Sequence, residues 1–317
     1  MAKFRARARA VDMLGRQQIA GIPTAISELF KNAHDAFALH AEVDFFRSDG
    51  LLVIRDDGFG MTVTDFEERW LVLGTESKLG SERLKAPSPP PGAATRPVLG
   101  EKGIGRLAIA AIGPQVLILS KAIRNETLAD GLMSFIHWGV FEIPGVNLDE
   151  VTIPIREFPS DSLPDKSDVK ALTEEFRTGL RELTGIPTEI VEAIDAQVAG
   201  LAVDPQAIEA YLEGPESLQL SNDGHGTHFY IQPADPTLED QIEGDEEVNI
   251  APPLIRTLIG FTNTMTSGQE PALRTSFRDH PKDDVTFDRV NESEFFRPEE
   301  LQNADHRFSG RFDEQGT

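Results

Sequence analysis

Cysteine is missing from all 317 residues, which excludes disulfides, thiolate metal sites and a thiol nucleophile. Positive charge is scarce: 30 Lys and Arg stand against 53 Asp and Glu, a net charge of −23. A surface that acidic repels a phosphate backbone at long range, so nucleic acid would need a local basic patch. The candidate patch is Arg5, Arg7 and Arg9 in the opening MAKFRARARA. Long apolar runs are lacking too. None approaches the roughly 20 residues that cross a bilayer, and the N-terminus has no signal-peptide core. The expectation is a cytoplasmic chain without membrane contact. These absences leave a nucleotide site open, because a bound cation and a few aimed donors dominate inside a closed pocket.

With 39% hydrophobic and 26% charged residues, the chain has an ordinary globular composition, with length for one large or two modest domains. Arg5, Arg7 and Arg9 alternate with Ala, a period that suits an edge strand or an arm. From Val11 to Leu39 the pattern is helical, broken near Gly21–Pro23, with Thr24 placed to cap the second helix. EVDFFR (42–47) and LLVIR (51–55) read as strands joined by a turn at Ser48–Gly50. A helix is expected over Phe66–Leu73. Residues 74–105, with few periodic apolar positions and the run APSPPPG, read as a long loop of the kind used as a lid. A short helix at 106–112, a strand at 116–120 and a continuation of the sheet through 131–142 follow. Residues from about 150 to 215 turn acidic and helical. HGTHFYIQ (225–232) returns to strand, and PPLIRTLIGF reads as a helix.

Three stretches carry chemistry. In ISELFKNAHDAF, Glu28, Asn32 and Asp35 share one helical face, with neighbouring Cβ atoms about 6 Å apart. Asn offers a neutral oxygen to a hard octahedral cation such as Mg²⁺, and Glu one turn away can deprotonate a water. Any amphipathic surface helix also carries such residues. LLVIRDDGFGM ends a buried strand on Asp57, whose carboxylate can accept a hydrogen bond from the N6 amine of adenine. Gly58 and Gly60 permit positive φ and let a flat base approach, while Met61 and Ile104 can flank it. An ordinary Asp-Gly turn has the same letters. GEKGIGRLAIAAIG runs a glycine-rich loop (Gly100, Gly103, Gly105) into an apolar helix, where amides can receive phosphate oxygens. Its GxxGxG spacing differs from both GxGxxG and GxxxxGK[ST]. Lys78 and Lys102 are the cations best placed for phosphates, and a solvated surface lysine is the alternative for each.

In this order, the three resemble the GHKL superfamily of gyrase B, heat-shock chaperone, histidine kinase, MutL and MORC ATPases. The ExxxNAxDA box looks matched by Glu28, Asn32, Ala33, Asp35 and Ala36. The DxGxG box looks matched by Asp57, Gly58 and Gly60, and the GxxGxG box by Gly100, Gly103 and Gly105. Gly226-Thr227 resembles the later Gly-Thr strand, and GTESK is similar to the chaperone and MutL lids, implicating Thr75 and Lys78 on the phosphate side. Glu at position 28 resembles the hydrolase branch. Histidine kinases typically differ there and need a phosphoacceptor His in a helical hairpin, which is not evident here.

The resemblance implies an α+β fold: a two-layer sandwich of a mixed, mainly antiparallel sheet covered on one face by helices, here with a helical insertion. It implies an arm at 1–22, an ATP-binding domain at 23–250 with a lid at 74–105, and over 251–317 a connecting helix and the start of a truncated transducer-like domain. ATP would be substrate and Mg²⁺ cofactor, held by Asn32. Glu28 would be the catalytic base, and lid closure would drive homodimerisation as a clamp with a protein partner. The hydrolase branch also takes a γ-phosphate Lys or Arg from the second domain; Arg256, Arg274 and Lys282 are candidates that no motif separates. A nucleotide-gated module with negligible turnover and a DNA-engaging clamp using Arg5–Arg9 are the alternative readings.

Overall fold

The computed structural model describes residues 5–73, 96–100, 105–212, 218–243, 252–259, 261, 271–282 and 285–290. After a short α1 (Arg9–Leu14), the helix with the acid–amide face runs Ile22–Asp35 (α2). It begins ahead of Thr24, which is not its cap. Gly21 takes that place with φ of 106°, and Pro23 stands in the first turn, where its missing N–H has no helical partner to lose. Ile26, Leu29, Phe30 and Ala33 are buried along one stripe, leaving Glu28, Asn32 and Asp35 along another side of the helix.

The strands are β1 (His40–Phe46), β2 (Leu51–Asp56), β3 (Gln115–Arg124), β4 (Thr127–His137), β5 (Ile155–Phe158), β6 (Gly226–Ile231), β7 (Arg274–Lys282) and β8 (Val285–Asp288). They form one sheet in the order β5-β4-β3-β6-β2-β1-β7-β8. The β1–β7 pair is parallel and the others are antiparallel, so the sheet is mixed and mainly antiparallel. The remaining helices are α3 (Val63–Asp65), α4 (Lys166–Glu182), α5 (Thr188–Ala199), α6 (Pro205–Tyr211), α7 (Leu238–Ile242) and α8 (Pro253–Ile259). The expected helix at 66–73 is instead α3, started by a Thr62–Asp65 capping box, running into a π-helical turn at Phe66–Trp70. A 3-10 turn fills Gly105–Ala111.

Register assigns the two faces. Asp56, Thr227 and Ser120 stand opposite one another on β2, β6 and β3, so their side chains share a face. On that side, α2 packs on the 105–111 turn, Gly113 abuts Ile231, and Phe30 meets Phe261 edge-on at 5.8 Å. The helical insertion covers the other face. Phe176 of α4 packs on Phe135 at 5.1 Å, Gln197 of α5 meets His137 Nε2 at 2.7 Å, and Tyr211 of α6 lies 5.7 Å from Phe46. The insertion therefore adds a layer to the two-layer arrangement.

The C-terminal region is placed differently from the expectation of a further domain. β7 pairs with β1 over seven positions, so 274–288 completes the same sheet. Leu273 and Phe277 are buried, and the polar residues that follow Phe277 are matched by charge. Asp44 Oδ1 accepts from Arg278 Nε at 2.7 Å and meets His280 Nε2 at 2.8 Å, while Oδ2 accepts from Arg55 at 3.0 Å. Burial alone would raise the Asp44 pKa; the hydrogen bonds of Arg278 and His280 and the charge of Arg55 outweigh it and hold the carboxyl well below its usual range. Asp279 is likewise gripped by Arg47 at 2.8 and 2.9 Å. No described helix is long and apolar enough to cross a membrane.

Candidate functional site

On α2, Glu28 Oε1 accepts from Lys31 Nζ at 2.7 Å. Its Oε2 faces Gly105, where a Cβ would lie only 2.7 Å away. Gly105 thus lets the start of the 105–111 turn close on Glu28, and any side chain there displaces the carboxylate. Asn32, half-buried, lies one turn further along the helix. Asp35 uses both oxygens on backbone: Oδ1 accepts from Leu99 N at 2.9 Å and Oδ2 from Gly100 N at 3.0 Å. Arg96 fastens the same segment, donating to Ala38 O at 2.7 Å with its guanidinium 5.5 Å from the Phe37 ring. The end of the 74–105 segment is therefore strapped to the C-terminus of α2.

The aspartate pair divides its work by strand geometry. Asp57, on which the sequence placed adenine recognition, turns its carboxylate onto the α2–β1 connection. Oδ1 accepts from Leu39 N at 2.7 Å and His40 N at 2.8 Å, and Oδ2 meets His40 Nδ1 at 2.8 Å. Asp56, the last residue of β2, shares the α2 face with Leu52 and Ile54. Its Oδ1 accepts from Gly58 N at 2.9 Å, and the Thr227 amide also bonds to it. The carboxyl is withdrawn from water although the residue as a whole is only half-buried. Burial, with the nearby Asp57 charge, pushes it up to about 7 against the two amides that favour its ionised form. Sequence reasoning missed Asp56, yet the signal was present: DxGxG counted letter by letter begins there.

Around Asp56 the cleft is braced by hydroxyls. Ser120 Oγ donates to Gly226 O at 2.8 Å, receives Met61 N at 2.8 Å and lies 2.9 Å from Thr227 Oγ1. With its one proton given to Gly226, Ser120 takes the Thr227 proton as acceptor, leaving the Thr227 oxygen free to accept in turn. Gly60 has φ of 61°, and a side chain there would collide with the Lys121 carbonyl; Gly58 similarly sits against Ala36. Arg124 ties the turn down, donating to Phe59 O at 2.8 Å and Asp65 Oδ2 at 2.6 Å. The structure thus gathers Glu28, Asn32, Asp35, Gly58, Gly60, Met61, Gly100, Gly105 and Thr227 around the α2 face and the ends of β2, β3 and β6. Thr75, Lys78, Lys102, Gly103 and Ile104 lie outside the described residues.

The N-terminal arm docks on its own chain. Ala8 N donates to Val146 O at 3.1 Å, Leu148 N to Ala6 O at 3.0 Å, and Arg7 to Asn147 Oδ1 at 2.9 Å. Arg5 and Arg9 are exposed. Of the candidate second-domain cations, Arg274 and Lys282 are the two ends of β7 and Arg256 lies on α8.

Residues 21–151 match the family model described as histidine kinase-, DNA gyrase B- and HSP90-like ATPase. Over those residues the chain is similar to the GHKL superfamily, a class whose domains bind ATP. The match ends before α4, so the helical insertion, β6 and the β7–β8 hairpin fall outside the matched residues. No curated protein matches the chain.

Proposed function

We propose that this chain binds ATP with Mg²⁺ and hydrolyses it, using the α2 face and the end of β2. The observation that carries the reading is the Asp56 carboxyl, buried at a strand end beside Gly58 and Thr227. The two amides hold it in place, and its remaining acceptor capacity would take the N6 amine of adenine, a matching donor. Gly58 and Gly60 keep the approach to the base clear, and the Thr227 hydroxyl offers a second polar contact.

Asn32 then stands toward the phosphates. Among the described residues no group of three or more His, Asp or Glu gathers to hold a metal. A lone amide oxygen fits Mg²⁺, which takes few protein ligands and fills its octahedron with water and phosphate oxygens. Bound there, the cation would neutralise phosphate charge. Glu28 has Oε1 held by Lys31, which leaves Oε2 to orient and deprotonate the attacking water. The 74–105 segment folds over the nucleotide as a lid, with Thr75, Lys78 and Lys102 toward the phosphates. Its closure promotes pairing of two copies, so that ATP acts through its preference for the closed state.

Calorimetry and phosphate release on the purified chain test this. Glu28→Ala should keep ATP affinity and lose turnover, whereas Asp56→Asn should lose affinity. Turnover that survives Glu28→Ala removes its role; a wild-type chain that binds ATP but releases no phosphate is a nucleotide-gated module instead.

A further inference from the structure

Arg106 follows Gly105 directly, one residue beyond the position that touches Glu28. Its Nη2 donates to the carbonyl of Val72, so one side chain joins the two borders of the 74–105 segment. The rest of the guanidinium is poorly served: Nε is buried with no hydrogen-bond partner, and among the described residues no carboxylate pairs with it. Burial alone lowers its pKa to about 10, with no acid pulling the other way. By contrast, Arg47, Arg55, Arg124, Arg177 and Arg278 all sit on carboxylates. A guanidinium partly withdrawn from water without an anion gains when one arrives, and its planar fork suits phosphate oxygens.

We propose that Arg106 binds the terminal phosphate of ATP from within the same domain, leaving the Val72 carbonyl as it does so. This rests on the nucleotide reading above and deepens it. The cation otherwise sought in a second domain is then supplied by the residue after the last glycine of the loop, at the cost of its bond to Val72.

Titration calorimetry of the full chain with adenosine, Mg-ADP and a nonhydrolysable Mg-ATP analogue distinguishes the possibilities for wild type, Arg106→Met and Arg106→Lys. Arg106→Met should weaken the ATP analogue about 10- to 100-fold, ADP less, and adenosine by no more than about twofold. Lysine should restore part of the loss, since it keeps the charge and gives up the fork. Unchanged analogue affinity in Arg106→Met, or equal losses for adenosine and analogue, overturns the assignment and makes Arg106 a structural brace. A wild-type chain that binds neither adenosine nor the analogue overturns the nucleotide reading itself, and this assignment falls with it.

Discussion

Replacing Asp56 by Asn should make the ligand-free protein more stable at alkaline pH while impairing nucleotide binding. The Asp56 pKa is raised from 3.8 to about 7 in the fold, so the native state holds this proton more tightly than the unfolded chain. Its contribution to stability is fully present below the unfolded value and is lost as pH rises through the folded one. At about 1.4 kcal/mol per unit, the full loss is up to about 4 kcal/mol, roughly 3 of which falls between pH 5 and 8. Asn has no proton to lose. Urea denaturation of both proteins without nucleotide, at pH 5 through 8, should therefore show Asp56→Asn gaining on wild type by roughly 2–3 kcal/mol across the series. Other titrating groups are common to both and cancel. Nucleotide affinity should move the opposite way. The amide oxygen keeps the Gly58 and Thr227 donors, which turns the NH₂ toward the adenine amine, donor against donor, at a loss of about 1–3 kcal/mol. A stability difference that stays flat with pH, or an Asp56→Asn protein that binds ATP like wild type, refutes the reasoning.

Four further outcomes are expected. Asp44→Ala leaves Arg55, Arg278 and His280 without their shared carboxylate, and denaturant unfolding should show a loss of about 3–5 kcal/mol. Asp35→Asn removes one acceptor for the Leu99 and Gly100 amides; hydrogen exchange at those two amides should accelerate while adenosine affinity is retained, and loss of adenosine binding would place Asp35 in the base pocket instead. Ser120→Ala strips partners from Met61 N and Gly226 O, and should lower stability by about 1–3 kcal/mol in thermal melts. Gly105→Ala places a methyl against Glu28 Oε2, so phosphate release should fall far more than ATP affinity.

Much of this architecture was legible because its signals are local. The α2 face follows from helical spacing, and β1 and β2 from short apolar runs around Gly50. Asp57 reads as the place where the strand stops, but β2 ends one residue earlier: Asp56 continues the Leu52–Ile54 alternation toward α2, and Asp57 lies past the strand. β7 was invisible for a physical reason. RTSFRDHPK has little apolar periodicity because Arg278 and His280 are matched by Asp44, and Asp279 by Arg47 and Arg289; Asp44 and Arg47 lie more than two hundred residues away in sequence. The covering of the second face by α4–α6 could be read as helical, but not where it docks, since that depends on Phe135, His137 and Phe46 lying in one surface. Arg106 reads as one more basic residue; what distinguishes it is a buried Nε without a partner among the described residues.

The charged seam between β1, β2 and β7 also fixes alignment. Greasy strands tolerate slippage, because one methyl replaces another at little loss. Two guanidiniums, an imidazole and two carboxylates do not: a shift of β7 by a single residue would turn Arg278 and His280 to the opposite side and strand Asp44 in the interior. The hairpin therefore has one admissible seating, and the chain leaves β8 at a set position beside β7.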